Sequence, residues 1–482
     1  MLRSCSQIRP RVVGLTSTRQ AGSCLYYPRN ARIVQRACNH QNHAHHKPPP
    51  WRPAFSLDQW VAKEARPISL RQLMVFGRTL TESRLISSAN YVRTELPTRL
   101  AHRIRDMQTL PYVVVTNPHI SQVYELYYKA FEGLRKIPEI KTLEDNQKFC
   151  EKIAQNLQEH LTVIPSLAMG VLECRDLMAQ EDMDRFMNTI LRSRISRRVI
   201  AEQHIALTET FHSPHHFPDA PLPETEFVGE VLVKCNANDI VTRCGHEVAA
   251  LAQAAYGPST LLPEIKLSGH LHATFPYILS HIEYIIGELL RNSIQAIVEK
   301  QRATPGTPTQ PPPIEVTVCE AQQHVIIRVS DQGGGIPRDI LPHIWSFSKG
   351  PRSHETLENL NQVPKMAATL QELRVSDTDL QFPQKQIDTP AKEHAAKERL
   401  ETSPFPKTGV LMHDSSLASL STRPPNLRLG MGLPLSRVYA EYWAGSLELH
   451  SLEGYGVDAF LQISKLGNKN EQLTMRASMD AV

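Results

Sequence analysis

Asp331-Gln332-Gly333-Gly334-Gly335-Ile336 decides the fold of this chain when it is read with Glu288-Leu289-Leu290-Arg291-Asn292 before it and Gly430-Met431-Gly432-Leu433-Pro434 after it. The triple glycine follows Val325 to Val329, a run that reads as a strand ending at Ser330. Glycines at such a strand end let the backbone pass close to a flat or anionic ligand, and Asp331 adds a carboxylate acceptor. A carboxylate in that place can read the exocyclic amine of adenine. An ordinary tight turn rarely needs three glycines in succession.

The other two stretches supply complementary chemistry. From His281 to Lys300 the spacing is helical, with Ile282, Ile285, Ile286, Leu289 and Leu290 on a wide apolar face. Glu288 and Asn292 lie one turn apart on another face and present their oxygens to the same region. An Asn292 oxygen suits the hard octahedral shell of Mg²⁺, and Glu288 can orient or deprotonate an attacking hydroxyl. Gly430 and Gly432 open a helix running through Val438 and Tyr442, where unpaired N–H groups and the positive helix end favour phosphate oxygens. Each pattern alone is a weak signal; the three in this order are specific.

Outward from these motifs, Ile314 to Val318 alternates as a half-buried strand, and Ser446 to Ser451 and Asp458 to Ile463 flank a Gly454-Tyr455-Gly456 turn. Helix, strand pair, helix and hairpin make an α/β sandwich over residues 224–348 and 426–466. Residues 349–425 interrupt it as a charged, Ser/Thr/Pro-rich insert that reads as a disordered part of a lid. Upstream, residues 58–210 carry three- and four-residue apolar spacing and short breaks such as Leu110-Pro111 and Asn117-Pro118, the mark of an up-and-down four-helix bundle. The expected class is therefore α + α/β, with a C-terminal tail over 467–482.

Residues 1–57 hold Arg3, Arg9, Arg11, Arg19, Arg29, Arg32, Arg36 and Arg52, with no acidic residue before Asp58, which is the composition of a mitochondrial presequence. His40, His43, His45 and His46, beside Pro48-Pro49-Pro50, read as part of this unstructured tail rather than as a metal site. Over the 482 residues a net charge of +4 is too mild for a nucleic-acid partner. The eight cysteines form no C-x-x-C pair and read as reduced thiols, and the chain has no apolar run long enough for a membrane span.

The ordered set resembles the N, G1 and G2 boxes of the GHKL (Bergerat) ATPases. The longer stretches Glu288 to Asn292, Gly432 to Ala440, Glu95 to Ala101 and Ser193 to Arg198 are similar to the mitochondrial pyruvate/branched-chain 2-oxo acid dehydrogenase kinases. That resemblance implies a protein-serine kinase of the mitochondrial matrix that uses MgATP. It implies Glu288 as general base, Asn292 as Mg²⁺ ligand, and ATP contacts from Glu288, Asn292, Gln295, Asp331, Gly333, Gly335, Ile336, Ser346, Phe347, Gly430, Met431, Gly432 and Leu433. Arg194 and Arg198 match a pocket for a regulatory 2-oxo acid. The implied partners are the dehydrogenase subunit and lipoyl-bearing core of such a complex and a second copy of the chain.

Departures from the family pattern are Arg428 for a first lid glycine, Gln295 for the usual arginine and Val457 for the usual threonine. Tyr284, one turn before Glu288, tilts the resemblance toward the branched-chain member. Two other readings compete. A histidine kinase would need His102, His160 or His204 as phosphoacceptor, but none is followed by the acidic residue such helices tend to show. A scaffold that binds nucleotide without catalysis is opposed by the retention of Glu288, Asn292 and Asp331.

Overall fold

The computed structural model describes residues 54–212, 227–303, 310–350, 353–363, 365–366 and 428–473. The basic segment through residue 53, with its histidines, lies outside the described residues, as do most of the connector after the bundle and most of the 349–425 insert.

Helices come first: α1 (Ala54–Val61), α2 (Leu70–Arg78), α3 (Glu82–Gln108), α4 (Tyr112–Val115), α5 (Pro118–Leu134), α6 (Leu143–Glu159), α7 (Val163–Glu173) and α8 (Gln180–His212). Their starts are set by side chains that satisfy orphan N–H groups. Ser69 with Gln72 and Thr142 with Asp145 form capping boxes on α2 and α6, Thr81 caps α3, and Asn117 caps α5 ahead of Pro118. A single 3₁₀ turn, His160–Thr162, joins α6 to α7, so that α3, α5, α6–α7 and α8 are the four long rods of a bundle. Its core includes Leu100, Ile104, Met107, Ile120, Tyr127 and Phe131, all fully buried.

The second half holds β1 (Phe227–Val228), β2 (Val231–Asn236), α9 (Ala237–Tyr256), β3 (Ile265–Gly269), β4 (Thr274–Ile278), α10 (Leu279–Ala303), β5 (Ile314–Glu320), β6 (His324–Asp331), α11 (Ser353–Asn361), α12 (Gly432–Tyr442), β7 (Ser446–Leu452) and β8 (Gly456–Ser464). A five-stranded sheet runs β3-β5-β6-β8-β7, parallel at β3/β5 and antiparallel elsewhere; β1-β2-β4 form a smaller antiparallel sheet. Val325, Ile327, Val329 and Asp331 share the inward face of β6, opposite Ile463, Leu461, Ala459 and Val457 on β8. Helices α10 and α12 pack on that face. The α/β sandwich expected from the motifs is present, together with β1 to β4, too short or too irregular in pattern to read in advance.

Three boundaries move. Helix α1 begins inside the segment expected to be disordered, because Leu57 is buried against the bundle core. Helix α8 continues two residues past 210. The start of the expected disordered insert is folded: α11 packs on α7, Leu360 is fully buried, and Met366 N–H donates to the Leu161 carbonyl at 3.1 Å.

The tail also takes part in the fold. Arg71 N–H donates to the Gly467 carbonyl at 2.8 Å, and Glu471 is buried with one carboxylate oxygen 2.8 Å from Arg99 Nη2. Tyr442 at the end of α12 donates its hydroxyl to the other oxygen, and Ile68 N–H donates at 3.2 Å. Burial pushes the Glu471 carboxyl above its ordinary range, while Arg99 and Tyr442 pull it back.

Glu471→Ala leaves Arg99 buried without one of its carboxylates, and denaturant unfolding should show a loss of about 3 kcal/mol; a change indistinguishable from zero would refute that role. His204 lies fully buried between the Ser88 hydroxyl at 3.0 Å and the Asn146 side chain at 2.9 Å, and burial lowers its pKa from 6.5 to about 4. The unfolded chain therefore takes up this proton first. Stability should be fully present above pH 6.5 and be lost as pH falls toward about 4, by roughly 3 kcal/mol from this group. Unfolding measured across that window should show a shallower slope in His204→Asn, and an unaltered slope would contradict the assignment.

Candidate active site

Helix α10 is the ruler of the site. Its buried face fixes the helix on the sheet, and this sets where Glu288, Asn292 and Ser293 emerge on the side facing α12 and β6. Glu288 is fully buried, with Oε2 2.6 Å from Arg291 Nη2 one turn along. Gly432 opens α12 against the same carboxylate: a Cβ there would lie 2.4 Å from Glu288 Oε2. Any larger residue there would push the Glu288 carboxylate aside. The N-cap residue Met431 makes no side-chain cap hydrogen bond, and the Gly432 and Leu433 N–H groups at the positive end of α12 lie beside Glu288. Asn292 follows one turn after Glu288, half-buried.

The triple-glycine loop closes the far end. Asp331 Oδ1 accepts from Gly333 N–H at 2.8 Å and Oδ2 from the Ser293 hydroxyl at 3.0 Å. Burial pushes the Asp331 carboxyl up, and these two bonds, with a third from the Val457 backbone N–H, oppose that shift. Gly335 has φ +75°, and a Cβ on it would meet the Leu452 carbonyl oxygen at 2.3 Å, because the loop is laced to the β7–β8 turn. Gly334 N–H donates to Tyr455 O at 3.0 Å, Gly454 N–H to Gly334 O at 2.7 Å, and Ile336 N–H to Ser451 Oγ at 2.7 Å.

Ser346 and Phe347 are held from the bundle. Asp184 on α8 accepts from Phe347 N–H at 2.8 Å and from the Ser346 hydroxyl at 3.1 Å. Gln295 donates to Glu299 at 3.0 Å, and Arg428 pairs with the same carboxylate. Two of the three departures from the family pattern thus meet on one side chain. Met431 is buried at the α12 N-cap, Leu433 packs at the core edge, and Gly430 is exposed just before them.

Residues 278–366 match the profile described as histidine kinase-, DNA gyrase B- and HSP90-like ATPase, and residues 67–231 match mitochondrial branched-chain alpha-ketoacid dehydrogenase kinase. The pyruvate dehydrogenase (acetyl-transferring) kinase 2 of Saccharomyces cerevisiae is 32% identical over 93% of this chain and 90% of its own length. The chain belongs to the mitochondrial 2-oxo acid dehydrogenase kinase family. The Arabidopsis thaliana pyruvate dehydrogenase kinase (29% identical, 86% of this chain and 95% of its own) and human isozyme 4 (26%, 84% and 82%) are similar to it too.

Arg194 and Arg198 are both buried on α8, and Arg198 lies 2.6 Å from Glu202 and donates to the Leu157 carbonyl at 3.3 Å. Arg197 lies over the Tyr127 ring at 4.2 Å. His160, whose ring is 5.4 Å from Tyr127, is held neutral at about 3 by burial and then by Arg197 and Arg194. Three arginines of α8 thus gather in the bundle interior, with Glu202 paired to one of them. The remaining histidines of the competing reading are engaged: His102 bonds the Val61 and Lys63 carbonyls, and His204 is buried.

Sequence reasoning passed over Arg291, Ser293 and Asp184. Their side chains touch site residues, yet an arginine or serine on a helix and an aspartate far away in sequence carry no motif of their own. No group of metal-ligating His, Cys, Asp and Glu occurs among the described residues, and no helix described is long and apolar enough to cross a membrane. The five described cysteines are free thiols.

Gly432→Ala tests the contact between α12 and Glu288. The added Cβ displaces the carboxylate, and phosphoryl transfer should fall about 10²-fold while the melting temperature stays close to wild type. Full activity in the variant would show that the carboxylate position is immaterial.

Proposed function

We propose that this chain is a protein-serine kinase of the mitochondrial matrix that transfers the γ-phosphoryl group of ATP to the dehydrogenase subunit of a 2-oxo acid dehydrogenase complex and thereby switches it off. The observation that carries this reading is the burial of Glu288 against Gly432, at an uncapped helix N-terminus and one turn from Asn292, with Asp331 beyond them on the adjoining strand. Such a site binds phosphates and holds one carboxylate next to them, which is what transfer to a hydroxyl requires.

In this reading Asp331 accepts from the adenine amine, and Gly333, Gly335 and Ile336 bring the loop backbone against the nucleotide. Gly430 to Leu433 and the start of α12 take the phosphates, with Gln295, Ser346 and Phe347 along the lid side. Glu288 accepts the serine proton as the hydroxyl attacks, and Arg291 holds the carboxylate in place. An oxygen of Asn292 would hold Mg²⁺, which neutralises charge on the phosphate oxygens. Arg194 and Arg198 form the regulatory pocket, where a 2-oxo acid carboxylate would compete with Glu202 for Arg198.

The names of the similar proteins favour the pyruvate complex as substrate. Tyr284, buried against Tyr439 with ring centroids 5.2 Å apart, favours the branched-chain complex. The lipoyl-bearing core as docking partner and a homodimer rest on the family resemblance. The test offers both purified complexes with MgATP. Acid-stable phosphate should appear on a dehydrogenase serine of one complex, and Glu288→Gln should reduce it at least about 10²-fold. Transfer to neither complex, or acid-labile phosphate on the chain itself, would overturn the reading.

A further inference from the structure

Asp331 is pinned by two main-chain donors, Gly333 N–H and Val457 N–H, and by one side chain, and these pins differ in origin. Gly333 N–H belongs to the loop that carries Asp331, so that bond is local. Ser293 belongs to α10, next in sequence to Asn292 and one turn and a residue beyond Glu288. Its side chain is buried, and its hydroxyl donates to Oδ2 at 3.0 Å. Directly across the strand pair, Val457 faces inward beside Asp331 in register. Cβ atoms of such opposed residues lie about 5 Å apart, within reach of a hydroxyl, but valine has none to offer.

We propose that Ser293 is the positioning residue that sets purine selectivity, by orienting the Asp331 carboxylate for an exocyclic amine. This inference rests on the reading of Asp331 as the adenine acceptor. A carboxylate has about four acceptor sites; with three donors placed around it, the remaining acceptor direction is fixed. An adenine amine donates to such an oxygen, whereas guanine presents its own carbonyl oxygen there and is repelled. Without Ser293 the carboxylate keeps only its main-chain donors, Gly333 N–H and Val457 N–H, and loses the one pin that comes from α10. Because Ser293 and Asn292 are adjacent on one rigid helix, the base end and the phosphate end of the site are fixed by the same element.

The experiment measures ATP and GTP binding and steady-state kinetics on the full chain. Ser293→Ala should raise Kd and KM for ATP about tenfold, the effect of losing one charge-assisted hydrogen bond, with kcat retained and the ATP-over-GTP preference narrowed. Adding Val457→Thr should restore most of the ATP affinity, since a hydroxyl then reaches Asp331 from β8. Unchanged ATP affinity in Ser293→Ala would overturn the inference, as would a loss that Val457→Thr leaves uncorrected. Asp331→Asn separates the two levels. If it binds ATP normally, the adenine-acceptor reading itself fails; if it loses ATP while Ser293→Ala does not, only the role of Ser293 fails.

Discussion

A buried guanidinium must find a carboxylate, and much of this fold is arranged around that requirement. Arg99 on α3 meets Glu95 one turn before it, and Glu471 near the end of the described chain. Glu471 in turn accepts from Tyr442 on α12 and Ile68 ahead of α2. Four separated parts of the sequence therefore share one charge cluster. Desolvating these groups is costly, and the cost is recovered only when all the partners are in place. The network thus specifies how the tail closes over the bundle and where α12 ends.

Helix α8 repeats the principle over a greater length. It is buried nearly all round from Met183 to Thr208, including five charged side chains. Arg192 pairs with Glu441 of α12, which also receives Arg437, and Arg437 lies over the Trp345 ring at 4.8 Å. At its N-terminal end Asp184 holds the segment at Ser346 and Phe347. One helix thus touches the bundle interior, the segment at Ser346 and Phe347, and α12.

The site follows a different logic, in which close approach matters more than charge pairing. Gly432 admits the α12 terminus to Glu288, and Gly335 admits the β7–β8 turn to the loop after β6. Where family positions differ, the structure shows local accommodation: Gln295 and Arg428 converge on Glu299, and the Ser293 hydroxyl reaches Asp331 across from the apolar Val457.

The sequence alone determined the four-rod bundle, the β5–β6 and β7–β8 pairs, and the ordered placement of Glu288, Asn292, Asp331 and the glycine pairs. These are short-range signals, set by helical and strand periods and by glycines whose spacing is local. It did not yield the start of α1, the helix α11 or the closure by the tail, because each is stabilised by burial against residues remote in the chain: Leu57, Leu360 and Glu471 owe their order to partners elsewhere. The same reason hid Arg291, Ser293 and Asp184. What a side chain contributes to the site depends on which atoms lie within about 3 Å of it, and only the tertiary structure decides that.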